Sequence, residues 1–277
     1  MQARDEMTLD HVIETRAVRT SFQSIFRLDD GAVLGCEALS RGVEGEFALA
    51  DRLFGEARRQ GRTSSLERLC CAVAINRSSA VCGESRGKLF LNLCVDEICR
   101  RENVDFIEVA AAGAGMRPSS IVVEITEGHG VSDWGRLRAG IRAWRAAGFA
   151  LAIDDVGSGH SDLRIVAEVE PEYLKIDRSL VQDVDSRRGV RAAVSALVVM
   201  GSALSSVVIA EGIETREEFA TLRSLGVEAG QGYFLARPAL QPNLLSAAAA
   251  AELAPASITT EPVPLTVEPC RATSTYA

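Results

Sequence analysis

Residues 120–126 read SIVVEIT, residues 133–147 read DWGRLRAGIRAWRAA, and residues 149–153 read FALAI. The first and last of these runs predict buried strands, and the apolar positions between them recur at helical spacing. Two strands separated by a helix indicate a right-handed crossover and a parallel sheet. This strand–helix–strand unit predicts an α/β fold.

The same alternation extends over most of the chain, in both directions from this unit. About eight runs predict strands, at 22–28, 32–39, 88–93, 120–126, 149–153, 173–176, 206–210 and, more weakly, 229–233. Amphipathic stretches predict helices at 48–60, 66–80, 133–147, 190–204 and 216–225. Eight strands alternating with helices predict a TIM-like (β/α)8 barrel, and an open doubly wound sheet is the second architecture.

One connection departs from this alternation. Only Asp29-Asp30-Gly31 separates the first two strands, which is too short for a helix. Asp-Gly between hydrophobic runs is typical of a hairpin, because glycine tolerates the positive φ of a tight turn. We therefore expect an irregular barrel in which the first strand is antiparallel to the second.

The chain is interpreted as one folded domain, residues 1–245, followed by a tail, residues 246–277. An alanine run at 247–251 is compatible with an extension of the last helix. Beyond it the sequence is rich in threonine, serine and proline, with prolines at 255, 262, 264 and 269. This composition predicts a flexible Ala/Pro/Thr-rich tail.

Composition narrows the class of protein. Of the 277 residues, 47% are hydrophobic and 25% charged, which suits a sizeable core and excludes a disordered or collagen-like chain. The net charge of −8 gives no electrostatic reason to bind DNA or RNA. No apolar run approaches the roughly 18 residues of a membrane span. The seven cysteines form no CxxC pair and the three histidines are scattered, which favours buried thiols in a reducing cytoplasm over a zinc or disulfide framework.

Polar residues recur at the carboxyl ends of the predicted strands. They are Glu37, Asn92, Glu124, Asp154, Asp155, Lys175, Glu211, Glu214 and Gln231. In a parallel barrel these strand ends meet at one face, where catalytic residues lie. Several carboxylates buried together are unfavourable unless cations neutralise them. Oxygen ligands without histidine or cysteine suit Mg²⁺ or Mn²⁺.

Three chemistries remain compatible with these residues. Two metal ions that share a carboxylate promote in-line attack of water on a phosphoryl group. A lysine at a strand end forms Schiff bases in aldol-type barrels. Carboxylates with one metal and a lysine base support proton abstraction next to a carboxylate, as in enolase-like barrels. Composition and spacing leave all three open.

Seven short motifs, in order, are similar to those of one family. They are CEALSR at 36–41, FLN at 90–92, VEITE at 123–127, IDDVGSG at 153–159, LKIDR at 174–178, AEGIE at 210–214 and QGY at 231–233. Together they resemble the EAL-domain family, the cyclic di-GMP phosphodiesterases, over residues 20 to 240. The resemblance implies a barrel with an antiparallel first strand, in agreement with the Asp30-Gly31 hairpin. It also implies hydrolysis of cyclic di-GMP to linear pGpG with two Mg²⁺ or Mn²⁺ ions.

The resemblance further implies a role for each motif residue. Metal ligands would be Glu37, Asn92, Glu124 and Asp154 for the first ion, and Asp154, Asp155 and Glu211 for the second. Catalytic residues would be Glu37, Glu211 (alternatively a general base) and Lys175, which would contact water or phosphate. Substrate contacts would be Gln23, Leu39, Arg41 and Gln231, and loop-anchoring residues would be Glu127 and Glu214. The family also implies a homodimer, and regulation is expected from protein partners, from dimerisation or from expression.

The sequence departs from the family pattern at four positions. Ser24 stands in place of proline, Val156 in place of phenylalanine, His160 in place of an aromatic residue and Glu67 in place of aspartate. None of these changes removes an implied metal ligand. The altered loop around Val156 motivates a second hypothesis, a receptor or interaction protein that binds cyclic di-GMP without hydrolysing it.

Overall fold

The computed structural model describes residues 8–82, 87–126, 131–159 and 163–253. Eight strands close into a barrel: β1 Val18–Arg27, β2 Val33–Gly42, β3 Lys88–Cys94, β4 Ile121–Thr126, β5 Ala150–Val156, β6 Tyr173–Ile176, β7 Val207–Ala210 and β8 Ala229–Gly230. The helices are α1 Leu9–Glu14, α2 Ala50–Arg59, α3 Thr63–Cys82, α4 Val95–Ile98, α5 Arg101–Gly113, α6 Trp134–Ala146, α7 Leu163–Val169, α8 Arg178–Val181, α9 Arg188–Leu204, α10 Arg216–Ser224 and α11 Ala247–Leu253. The (β/α)8 barrel predicted from the sequence is therefore confirmed.

The antiparallel first strand is also confirmed. β1 pairs antiparallel with both β2 and β8, whereas the remaining neighbours in the barrel are parallel. The Asp29-Asp30-Gly31 connection forms the turn, and the amide of Arg27 donates to the carbonyl of Ala32 across it at 2.8 Å. Gly31 has a φ of 72°, which a residue with a Cβ adopts only at a cost.

The inside of the barrel is closed by an apolar layer with one buried residue from each strand. Its members, which we call the barrel floor, are Ile25, Leu34, Phe90, Val122, Ala152, Tyr173, Ile209 and Ala229. Phe90 and Tyr173 meet edge to face, with ring centroids 5.2 Å apart. Because side chains alternate across a strand, residues two positions further along β3 to β8 continue from the barrel floor towards the carboxyl ends.

A larger apolar cluster fills the space between the barrel and the surrounding helices. Trp144 of α6 is fully buried there, packs edge to face on Phe149 and donates from Nε1 to the carbonyl of Ile98 at 3.1 Å. In the described part of the chain, every helix is too short or too polar to cross a bilayer.

The predicted tail needs one correction. The alanine run neither extends the preceding helix α10 nor belongs to a flexible segment, because residues 247–253 form the separate helix α11. The hydroxyl of Ser246 accepts from the amide of Ala249 at its start, Ala249 is buried, and Glu252 pairs with Arg216 of α10 at 2.7 Å. Residues 254–277 of the predicted tail lie outside the described residues.

Candidate active site at the carboxyl ends of the strands

The strand-end polar residues lie directly above the barrel floor. On six strands the polar residue follows the floor residue by two positions: Asn92, Glu124, Asp154, Lys175, Glu211 and Gln231. Glu37 of β2 points inward like Phe90 of β3, with which it is paired, and its carboxylate contacts the layer through Asn92. The alternation of the strands therefore brings together residues that are up to 194 positions apart in sequence, such as Glu37 and Gln231.

Lys175 lies at the centre of this layer. Its side chain is 0% exposed, and Nζ is 2.7 Å from Glu124 Oε1, 2.7 Å from Glu211 Oε1 and 3.0 Å from Asp154 Oδ1. Oε2 of Glu37 is 3.4 Å from the same ammonium. One cation therefore faces four carboxylates that come from four different strands or strand ends.

Two amide side chains orient Glu37. Nδ2 of Asn92 donates to Glu37 Oε1 at 2.9 Å, and Nε2 of Gln231 donates to Glu37 Oε2 at 2.7 Å. The same Nε2 also donates to Glu211 Oε1 at 3.0 Å. Since Asn92 uses its nitrogen towards Glu37, its carbonyl oxygen can act as a ligand.

A bulge lets two consecutive aspartates face the same site. The register between β5 and β6 shifts between Ile153 and Val156, and Asp155 has a φ of 56°. In a regular strand neighbouring side chains point to opposite faces, and a bulge re-aims one of them. As a result, carboxylate oxygens of Asp154, Asp155 and Glu211 all lie within 4.8 Å of one another.

The electrostatics of the site oppose full ionisation of the acids. Burial raises the pKa of Glu124 and Glu211 well above the usual carboxyl value, and Lys175 offsets this only in part. Burial also raises the pKa of Asp154. Burial and the neighbouring charge of Asp154 raise the pKa of Asp155 to about 6. These carboxylates therefore favour a positively charged ligand that would stabilise their ionised forms.

In Glu37 and Lys175, by contrast, the neighbouring groups together outweigh the effect of burial on the pKa, and both side chains remain charged. Although burial disfavours the carboxylate of Glu37, the Lys175 ammonium and the hydrogen bonds from Gln231 and Asn92 bring its pKa below the usual value. Burial disfavours the ammonium, yet the surrounding carboxylates, led by Asp154, raise the pKa of Lys175 well above the usual value. A Schiff-base lysine requires a lowered pKa, so this environment disfavours the aldol-type chemistry left open by the sequence.

The donor set fits divalent metal ions. Carboxylates of Glu37, Glu124 and Asp154 form one group of oxygens within 4.8 Å of one another, and Asp154 is shared with the second group. Oε2 of Glu124 is buried and accepts no hydrogen bond from the described residues. With every group ionised, these five carboxylates and one ammonium carry a formal charge of −4, which two divalent cations would neutralise. Oxygen donors of this kind match hard cations.

The residues implied in substrate binding surround the layer. Gln23 of β1 is paired with Glu37, is buried, and donates from Nε2 to the carbonyl of Ala236 at 3.2 Å. Leu39 and Arg41 follow Glu37 at two-residue steps along β2, and both have solvent-accessible side chains. The guanidinium of Arg41 donates to the hydroxyl of Ser21 at 3.2 Å. These residues border the entrance to the layer.

Of the two residues implied in loop anchoring, the structure describes only Glu214. Glu214 lies outside the carboxylate layer and pairs with Arg178, at the start of α8, at 2.9 Å. This ion pair ties the loop after β7 to the segment after β6. Glu127 lies outside the described residues, as does His160.

Three of the departures from the family pattern can be located. The hydroxyl of Ser24 donates to the carbonyl of Asn243 at 2.7 Å, and Val156 is buried at the end of β5. Glu67 of α3 is buried, and both of its carboxylate oxygens accept from the amide of Cys94, at 3.2 Å each. This contact holds the end of β3 two residues beyond Asn92.

A buried polar network next to Glu67 was not predicted from the sequence. Nδ2 of Asn103 donates to the carbonyl oxygen and the carboxylate of Glu97, at 2.9 and 2.8 Å. Arg68 of α3 donates to Asn103 Oδ1 at 2.6 Å. These residues sit on α3, α4 and α5, so no short motif contains them. The available signal was the placement of Asn103 at an inward position of an amphipathic helix.

Comparison with known proteins identifies the family. The profile of the EAL domain matches residues 6–238. The chain belongs to the EAL domain family. Among related proteins, cyclic di-GMP phosphodiesterase NbdA of Pseudomonas aeruginosa is 29% identical over 237 residues, covering 84% of this chain and 30% of NbdA. Cyclic di-GMP phosphodiesterase RocR of the same organism is 28% identical over 239 residues, covering 81% of this chain and 58% of RocR. This EAL domain thus spans less than two thirds of either relative.

Solved EAL structures share the fold. The PaMucR phosphodiesterase in complex with c-di-GMP matches with a TM-score of 0.74 and 25% identity, covering 84% of this chain and 98% of the PaMucR chain. The manganese/cy-diGMP complex of Klebsiella pneumoniae BlrP1 matches with a TM-score of 0.73 and 27% identity, covering 80% of this chain and 56% of BlrP1. A second BlrP1 structure carries calcium with cy-diGMP. Proteins of this family therefore combine metal ions and the dinucleotide in one fold.

Proposed function

We propose that this EAL domain is a cytoplasmic enzyme of bacterial second-messenger signalling that hydrolyses cyclic di-GMP to linear 5′-pGpG with Mg²⁺ or Mn²⁺. The observation that carries the proposal is the cluster of five carboxylates above the barrel floor, in which Glu37, Glu124 and Asp154 are buried and Asp154 belongs to both groups of candidate metal ligands. The similarity to NbdA and RocR, both named cyclic di-GMP phosphodiesterases, supports the substrate. The cysteines among the described residues form no disulfide, in keeping with a reducing compartment.

In this proposal the layer would hold two ions, and Asp154 belongs to both groups of candidate ligands. The first would be held by Glu37, Asn92, Glu124 and Asp154, and the second by Asp154, Asp155 and Glu211. Bound Mg²⁺ or Mn²⁺ would supply Lewis-acid polarisation of the phosphoryl group and activation of water for in-line attack. Water adds to phosphorus, the bond to one 3′ oxygen breaks, and the released 3′ hydroxyl takes up a proton.

The other residues of the layer would either contact the reactants or position the groups that do. Lys175 is a cation beside the carboxylates and would contact the attacking water or the phosphate. As an alternative to binding the second ion, the carboxylate of Glu211 would accept the proton of the water as a general base. Gln231 holds Glu37 and Glu211 in a fixed relation through one nitrogen.

The border of the layer would bind the dinucleotide. Arg41 has an accessible guanidinium that suits a phosphate oxygen, because its planar fork matches that geometry. Leu39 would contact a base or ribose through its apolar side chain, and Gln23 would contribute a polar contact. Glu127 and Glu214 would fix the loops on either side.

The deciding experiment is a product assay. Purified protein is incubated with cyclic di-GMP and either Mg²⁺ or Mn²⁺, and products are separated by chromatography. We expect pGpG with at least one metal, loss of turnover in Glu37→Ala, and unchanged turnover in Glu217→Ala, an exposed glutamate of α10. Absence of pGpG with both metals would refute the proposed hydrolysis.

The alternative is a receptor that binds cyclic di-GMP without hydrolysis and controls a partner protein. It is favoured by Val156, which stands where the family pattern has phenylalanine beside the two aspartates. Tight binding of the dinucleotide by calorimetry, with no product in the assay above, would select this alternative. We also propose a homodimer, which sedimentation analysis of the purified chain tests directly.

A further inference from the structure

Lysine is nearly absent from this chain. Of the 30 basic residues, 28 are arginines, and the two lysines are Lys88 and Lys175. Lys88 begins β3 at the opposite end of the barrel and donates to the carbonyl of Ser119 at 2.6 Å. Lys175 is fully buried at the centre of the carboxylate layer. The only buried cation of the described site is therefore a lysine, in a chain with just one other lysine.

The ammonium of Lys175 and a metal ion would use the same carboxylate groups. Nζ faces Glu37, Glu124 and Asp154, which together form the first group of metal-ligand oxygens. It also faces Glu211 of the second group at 2.7 Å. Two cations that share three carboxylates repel each other strongly in a buried site. The contacts seen for Lys175 therefore compete with the binding of a first metal ion.

We propose that Lys175 is an internal counter-ion that holds the four carboxylates together when no divalent cation is bound, and that the first metal ion displaces its ammonium from them. The proposal rests on the proposed function only in requiring that the layer binds divalent cations. A lysine suits this exchange because its charge is compact and its four-carbon stem is flexible. An arginine fork would form fixed bidentate pairs instead.

The exchange has a consequence for stability. Without Lys175, a protein that lacks bound metal would contain buried carboxylates with no cation near them, which is strongly destabilising. A bound metal ion would restore neutrality in the variant as it does in the native protein. The variant should therefore depend on metal for stability more than the native protein does.

The first experiment compares Lys175→Met with Lys88→Met, which removes the other lysine. In EDTA we expect the unfolding temperature of Lys175→Met to fall by roughly 10 °C. Saturating Mn²⁺ should bring it back close to the native value, and calorimetry should show Mn²⁺ binding at least about tenfold more tightly than in the native protein. Lys88→Met should match the native protein in both measurements. Equal unfolding temperatures in EDTA, or equal Mn²⁺ affinities, would overturn the proposal.

The second experiment uses the native chain, so it does not depend on whether the variant folds. Protein labelled with ¹³C only in lysine gives two sets of side-chain Cε signals, one for each lysine. Titration with diamagnetic Mg²⁺ should move the Lys175 signals and leave those of Lys88 in place. Binding of Mg²⁺ by calorimetry without movement of the Lys175 signals would overturn the proposal alone. Absence of any metal binding to the native chain would instead refute the metal-dependent function.

Discussion

Glu67 is a buried carboxyl group that is not among the candidate metal ligands, so the effect of burial on its pKa can be tested separately. Its carboxylate is buried between α3 and the end of β3, where it accepts from the amide of Cys94. Burial, only partly countered by that hydrogen bond and reinforced by the charge of Glu97, raises the pKa of Glu67 from 4.5 to about 8. Replacement by glutamine keeps the size of the side chain and a carbonyl acceptor for the amide but removes the titration.

The direction in which pH changes the stability follows from the difference between the folded-state and unfolded-state pKa of Glu67. Because the folded-state pKa lies above the unfolded-state value, the folded protein holds a proton that the unfolded chain releases. The stability from this proton is complete below pH 4.5 and is lost as pH rises towards and through about 8. The full penalty on the ionised, buried carboxylate is roughly 5 kcal/mol. Between about pH 6 and about pH 9 the advantage of Glu67→Gln over the native protein should therefore widen by roughly 3 kcal/mol.

Urea unfolding in EDTA at a series of pH values measures this difference. Other titrating groups are common to both proteins, so their contributions largely cancel in the comparison. Glu108→Gln, at an exposed position of α5, serves as the matched control and should differ from the native protein by the same small amount at every pH. A constant difference for Glu67→Gln, or one that shrinks as pH rises, would refute the assignment of a buried, proton-holding carboxyl.

Three further outcomes follow from the packing and the site. Trp144→Ala should lower the free energy of unfolding by about 3–5 kcal/mol, measured by urea denaturation. The substitution leaves a cavity at a fully buried position and removes the hydrogen bond to the carbonyl of Ile98. A loss below about 1 kcal/mol would contradict this packing. Gly232→Ala should destabilise the loop after β8 and lower turnover, since a Cβ there would lie 2.2 Å from the backbone of Ile213, next to Gln231. An unfolding temperature equal to that of the native protein would rule out this close approach. Chelation should abolish pGpG formation, and added Mn²⁺ should restore it; activity that survives exhaustive chelation would argue against metal-dependent hydrolysis.

The sequence predicts the barrel well because its signals are local. Each strand is an apolar run with its own boundaries, and the Asp30-Gly31 turn requires only a glycine at a positive φ, which the structure has. Features that depend on contacts between distant parts of the chain are predicted less well. Strand β1 starts at Val18 rather than residue 22, and β8 contains only two residues rather than five, because pairing with neighbouring strands sets these ends. Helix α11 depends on packing against the barrel, which an alanine run does not reveal.

The sequence indicates which side chains meet at the carboxyl ends of the strands, but it does not indicate their contacts. A period of two along each strand places Glu124 above Val122, and Lys175 above Tyr173, without any knowledge of partners. The contacts among these side chains depend on barrel closure, which sets the position of every strand around the ring. The bulge that turns Asp155 towards Asp154 is likewise absent from any local pattern, since two adjacent acids in a strand would normally point apart.

The barrel floor explains how the fold tolerates such a layer. Carboxylates that repel one another and lose hydration on burial favour structures in which they separate. Here Glu124, Asp154 and Glu211 each stand two positions after a residue of the barrel floor, and the strands are linked into a closed ring of hydrogen bonds. Separation of one carboxylate would require a strand to leave the ring and expose its floor residue. Apolar packing below the layer thus keeps together carboxylates that repel one another, and the single ammonium of Lys175 offsets that repulsion only in part.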